Sequence, residues 1–75
     1  MQNEQQRYQL GAREESGRYP VTVNGTPAGC VYRRHGSWFP EMPGHRIESR
    51  GTSRTGAAEI LVAAVDQGKR PTIPA

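Results

Sequence analysis

Seventy-five residues hold one domain and no more, and a chain of this size buries only about 60% of the surface its unfolded form exposes. Lys+Arg 10 against Asp+Glu 7 gives a formal net charge of +3 with 33% hydrophobic residues, a pI near 9.6 and a mean hydropathy of -0.81, a balance that points to a polyanion or a second protein surface as partner. No apolar run approaches the roughly 20 residues of a membrane helix, the single Cys30 excludes an internal disulfide, and Met1-Gln2-Asn3-Glu4-Gln5-Gln6 has neither a basic n-region nor an apolar h-region, so a cytoplasmic protein without a membrane partner is expected.

Residues 1–17 are rich in Gln and mixed in charge, with Tyr8 and Leu10 the large apolar groups. Such a segment buries too little surface to offset its ordering entropy, so it is expected to be a disordered tail. Tyr19, Val21 and Val23 then alternate with Pro20, Thr22 and Asn24, the period-two pattern of a half-buried strand. Asn24-Gly25 marks a hairpin turn, because both residues tolerate positive φ. A two- or four-residue loop puts Ala28, Cys30 and Tyr32 on the face of Tyr19, Val21 and Val23, leaving Arg18, Thr22, Val31 and Arg33 on the other. A three-residue loop reverses that partnership, since one step of register turns every side chain over. The first register gathers the apolar groups and is preferred. His35-Gly36 is a second turn; a two-residue loop there pairs Tyr32 with Phe39 and Arg33 with Trp38. Pro40 and Pro43 cannot donate to a ladder, which makes this third strand short or an edge.

Glu41-Met42-Pro43-Gly44 reads as a turn. His45-Arg46-Ile47-Glu48-Ser49-Arg50 is a candidate fourth strand built around a single Ile47. Ser53 is suited to cap a helix. From Arg54 to Gln67 apolar residues recur at three- and four-residue steps, and Ala57, Leu61, Ala64 and Val65 form a stripe able to cover a sheet. Gly68 suits the position just past the helix, followed by Lys69-Arg70, where the helix dipole favours cations. Pro71 and Pro74 end the pattern, and residues 69–75 are expected to form a mobile tail. The fold class is α+β: a small antiparallel sheet of three strands, with a fourth in reserve, and one C-terminal helix packed on one face, spanning residues 18–68.

Nine of the ten basic residues are arginine, whose planar fork pairs bidentately with phosphate and guanine. At the helix entrance Arg54, with Arg50 close by, sits at the positive end of the dipole. The N–H groups of Arg54, Thr55 and Gly56, with the Ser53 and Thr55 hydroxyls, would complete an anion site there. On the open face Arg18, Thr22, Arg33 and Trp38 could read bases and phosphates, with Arg34 and His35 reaching phosphate from the hairpin end. The competing reading of Trp38 is a core residue. Cys30, His35 and His45 lack the paired spacing of a zinc site, and no nucleophile and base come together, so no metal, cofactor or enzyme activity is expected.

Gly29-Cys30-Val31-Tyr32-Arg33-Arg34, Ser37-Trp38-Phe39-Pro40-Glu41-Met42, Arg46-Ile47 and the run from Thr52 to Glu59 together resemble a known module. It is the three-strand-plus-helix DNA-binding domain of plant ethylene-response factors and of the arm-site-binding N-terminal domains of tyrosine-type phage integrases. The resemblance implies a sheet laid in the major groove, a helix packed behind it, and Arg33, Trp38 and Arg46 as readers. The expected function is that of a small DNA-binding accessory or regulatory protein of bacterial or phage kind, with duplex DNA as partner and no catalysis. The alternative is a protein-interaction module, a homodimer or a small phage-type inhibitor, using the open sheet face.

Overall fold

Two turns that need positive φ set the sheet. The computed structural model describes residues 7–72. Asn24 and Gly25 have φ of 53° and 81°, and His35 and Gly36 have 52° and 79°, so both hairpins close with two-residue turns of the primed kind, whose twist matches that of the strands. The strands are β1 (Tyr8–Leu10), β2 (Tyr19–Val23), β3 (Thr26–Arg34) and β4 (Ser37–Glu41), followed by helix α1 (Arg54–Asp66). All neighbours pair antiparallel in the order β1-β2-β3-β4, and α1 packs on one face, giving the α+β architecture expected.

The fourth strand is β1, from the N-terminal segment, and not residues 45–50. Tyr8 and Leu10 lean on the core, Arg7 accepts from the Asn24 N–H through its carbonyl at 2.7 Å, and Gly11 N–H donates to Pro20 at 2.7 Å. The expectation of a disordered tail is therefore corrected over residues 7–17, while residues 1–6 lie outside the described region. Two alternating apolar residues suffice here because a partner strand is already formed beside them. Residues 46–50 make no strand, since the outer edge of β4 is blocked. Trp38 engages Gly51 through both of its backbone groups, at 2.9 and 2.8 Å, and Pro40, next along that edge, has no donor. Residues 69–72 are likewise held: Lys69 N–H bonds to Ala64 at 3.0 Å and Thr72 N–H to Pro43 at 2.8 Å. Residues 73–75 lie outside the described region.

The helix follows its sequence signals. Ser53 Oγ accepts from the Gly56 N–H at 3.0 Å. At the other end Gly68 N–H bonds to Val65, Lys69 N–H to Ala64, and Gly68 has a φ of 92°, the two-bond glycine cap that satisfies the last carbonyls. Ala57, Ala58, Leu61 and Ala64 are buried; three methyl groups bring the helix close to the sheet and leave Leu61 to fill the space between.

A bulge decides which way the rest of the sheet faces. Val23 pairs with Thr26 and Thr22 with Pro27, as a two-residue loop dictates, but Val21 then pairs with Gly29 instead of Ala28. The extra residue turns over every side chain beyond it. Tyr19 consequently lies opposite Val31 and not Cys30. Val21, Val23, Ala28, Val31 and Met42 form the sheet's share of the core. Gly29 makes the bulge feasible: its φ is 152°, and a Cβ there would meet the backbone carbonyl of Glu41. The β3–β4 pairs are those expected, Tyr32 with Phe39 and Arg33 with Trp38, yet they face the other way. Val31, Arg33 and Trp38 share the helix side, while Cys30, Tyr32 and Phe39 lie on the open face. No helix among the described residues is long and apolar enough to cross a membrane.

Candidate nucleic-acid interface

The reversal redistributes the residues that the sequence singles out. Trp38 packs against the core on the helix side, half-buried, and its ring meets Tyr19 edge-on at 5.7 Å between centroids. Arg33 lies opposite it, exposed, on the same side. Neither lies on the open face where the sequence reading puts them, because the bulge at Gly29 turns both to the helix side. The helix begins at this aromatic pair. Arg54 Cζ stands 4.9 Å from the Tyr19 ring centroid and 6.0 Å from that of Trp38, a cation–π placement that steadies the guanidinium at the molecular surface.

Gly51 brings Arg50 to the same place. It bridges to Trp38 on one side, and a Cβ at position 51 would sit 2.8 Å from the Ala57 nitrogen and 3.0 Å from the Gly56 carbonyl carbon. Only glycine fits between strand β4 and the first helical turn, and the residue before it is carried to the helix entrance. Arg33 lies across the strand pair from Trp38, Arg54 stands over its ring, and Arg50 precedes the Gly51 that bridges to it, while Arg34 at the hairpin end, opposite Ser37, faces the other side of the sheet. Among the described residues none of these four arginines forms an ion pair, and the first helical turn carries no acidic residue. The positive end of the helix dipole adds to their field.

The helix entrance itself is partly occupied. Ser53 Oγ holds the Gly56 N–H, and it lies 3.1 Å from Thr55 Oγ1, so the cap satisfies one of the three N–H groups expected to face an anion. Arginine side chains, more than bare backbone donors, give this end its character.

The other singled-out residues lie elsewhere. Arg18 Nε donates to Glu41 Oε1 at 3.0 Å, a bond that strengthens the guanidinium's hold on its proton, and Arg18 Cζ stands 5.0 Å from the Tyr32 ring centroid. Tyr32 in turn stacks on Phe39 at 5.6 Å. The open face is thus crossed by a ladder of Arg18, Tyr32 and Phe39 whose one cation is already neutralised. Cys30 completes the cluster, its Sγ 3.4 Å from Glu41 Oε1; burial first, and then the carboxylate, push the thiol up to about 11. Thr22 shares this face, opposite Pro27. Arg46 is exposed, 3.5 Å from Glu48 Oε2, and lines a hollow beside Ile60 and Gln67. The structure brings Arg33, Trp38, Ser53 and Arg54 to one side, with Arg50 one residue before the Gly51 bridge and Arg34 turned to the other face at the hairpin end; Arg18, Thr22 and Arg46 it leaves apart.

Reading the chain alone overlooks Tyr19 as the second ring beneath Arg54, and Arg13, which lines a groove beside Arg33 and Trp38. The alternation that marks Tyr19 as apolar was the available signal for the first. Nothing local marks Arg13. Among the described residues no group of three or more His, Cys, Asp or Glu is placed to hold a metal ion.

A second ion pair ties the sheet edge to the helix end. Arg7 donates to both Asp66 oxygens, at 3.1 and 2.6 Å, and that hydrogen bonding holds the Asp66 carboxyl below the usual carboxylate range. Because the folded pKa lies below the unfolded one, the pair contributes stability above the unfolded value and loses it as pH falls through the folded value. A carbon-13 NMR titration should show Asp66 protonating at lower pH than an unpaired aspartate, and Arg7→Gln should restore the ordinary midpoint.

Comparison with protein-family models, with curated proteins and with solved structures finds no match.

Proposed function

We propose that the protein binds duplex DNA as a small cytoplasmic accessory factor, holding the phosphate backbone with the basic pole around Trp38 and not with the open sheet face. The observation that carries this reading is a run of arginines, Arg33 and Arg54 beside Trp38, Arg50 one residue before its Gly51 bridge and Arg34 at the adjoining hairpin end, none of them ion-paired among the described residues, next to a helix N-terminus without an acidic residue in its first turn. Like charges repel, so collecting them costs stability unless an anion is bound there, and arginine suits phosphate through its bidentate fork. Phosphate contacts position a protein on DNA without reading its sequence, and binding by the pole alone is accordingly sequence-tolerant.

Four phosphate contacts give a salt dependence of log K on log salt with a slope of about -3.6, and loss of one contact shifts the slope by about 0.9. Fluorescence anisotropy with labelled duplex across salt concentrations should return that slope, with Arg33→Gln and Arg54→Gln each lowering it. Arg46→Gln should leave affinity within about twofold, since Arg46 is exposed, already faces Glu48 and lies outside the pole. A flat salt response, or equal losses from all three substitutions, rejects the pole as the DNA contact.

One observation favours a second reading, a protein partner on the open face. That face presents Pro20, Pro27, Tyr32 and Phe39, while Arg18 and Glu41 neutralise each other, which is the low free charge and aromatic enrichment of an interface centre. Analytical ultracentrifugation separates the two: a dimer lost on Phe39→Glu, with no DNA binding at low salt, supports this reading over the first.

A further inference from the structure

Next to the basic pole, at the end of β2, lies a groove of about 480 Å³ lined by Tyr19, Trp38 and Arg33 from the helix side, by Tyr32 and the Glu41-paired Arg18 from the open-face side, and by Arg13, with no acidic side chain lining it. Its size falls within the roughly 300–1,000 Å³ of small-ligand sites. Arg13 and Arg33 form no ion pair among the described residues. The loop that carries Arg13 is held in place by Glu14 N–H on the Arg18 carbonyl and Gly17 N–H on the Glu14 carbonyl, both at 2.8 Å.

Aromatic and arginine residues lining one groove fit a planar ring joined to a phosphate. We infer that this groove takes one unpaired nucleotide of a nucleic-acid strand whose phosphates run over the pole, so that the protein prefers strands with unpaired positions to continuous duplex. This rests on the nucleic-acid reading above and extends it. Continuity is the reason for choosing a strand over a phosphorylated tyrosine: Arg33 and Trp38 belong to both groove and pole, and Arg54, over the Tyr19 and Trp38 rings, lies just beyond to meet a further phosphate, with Arg50 following along the chain through the Gly51 bridge. A single phosphotyrosine would leave those cations unmet. An unpaired base can be splayed against aromatic and guanidinium surfaces, whereas a stacked base in a duplex cannot.

Trp38 is the chain's one tryptophan, so its fluorescence reports on the groove directly. The full chain is titrated with single-stranded oligothymidylate of about eight nucleotides, within the usual site size, with a duplex of equal length, and with phosphotyrosine. The expected result is quenching of Trp38 by the single strand well beyond that by duplex. Arg13→Gln, a change at an exposed loop residue that leaves the fold intact, should weaken single-strand binding about tenfold, the loss of one charge-assisted contact, while duplex affinity stays within twofold. If duplex binds with its salt slope but the single strand neither quenches Trp38 nor responds to Arg13→Gln, the groove inference falls and the pole stands. Quenching by phosphotyrosine without any by the strand also overturns it. If neither nucleic acid binds, the pole and the groove fall together.

Discussion

Replacing Gly29 by alanine should destabilise the fold by about 3 kcal/mol or more, the sum of backbone strain and a forced displacement. At a φ of 152° an L-residue is strained, and the added Cβ would fall on the Glu41 backbone carbonyl while lying 3.2 Å from the Met42 Cα. Both obstacles are main chain, so neither can swing away. Strand β4 would have to part from β3 at the point where Met42 enters the core. Urea denaturation checks this against Gly25→Ala, where φ is 81° but nothing lies within 4 Å of the new Cβ, so that only the left-handed backbone cost of about 1–2 kcal/mol applies. Equal losses in the two variants would mean that the close approach of β3 and β4 at Gly29 is unimportant.

Leu61→Ala should cost about 2–5 kcal/mol, the range for truncating a buried leucine. Total stability for a chain of this length is on the order of 4–11 kcal/mol, so the variant loses a large share of it. Leu61 is fully buried and the other fully buried helix residues are alanines, so beside the partly buried Val62 and Val65 it is the one large helix side chain at the centre of the core. Ile60, next in sequence, is half-buried and outside the core cluster, and Ile60→Ala should cost clearly less. Denaturation followed by tryptophan fluorescence and by far-ultraviolet circular dichroism compares them. Equal costs would contradict the helix orientation described.

Local signals carry most of the fold. Asn24-Gly25 and His35-Gly36 adopt the turns their conformational freedom suggests, Ser53 and Gly68 cap the helix they flank, and Arg33 meets Trp38 across a two-residue loop. What local pattern hides is the bulge. Alternation through Ala28, Cys30 and Tyr32 fits an unbroken ladder equally well, and a glycine inside a strand was the one mark of the irregularity. That single insertion moves Val31 into the core and takes Tyr32 out, and with them the expected faces for Arg33 and Trp38. Contacts between distant segments are hidden for a different reason: Arg7 meets Asp66 and Arg18 meets Glu41 only after the meander and helix are assembled. Of the candidate site, the arginines at the helix entrance are legible from the capping pattern, because a cap fixes what stands beside it. Their approach to Trp38 depends on Gly51 and on the bulge together.

The most direct test of the basic pole is a heteronuclear NMR titration of the full chain with duplex DNA, following backbone amides and the Trp38 indole. A pole contact predicts shifts at Arg33, Arg34, Arg50 and Arg54 and at the Trp38 indole, with Thr22, Cys30, Tyr32 and Phe39 unmoved. Shifts concentrated on those four open-face residues, or none at low salt, would contradict it.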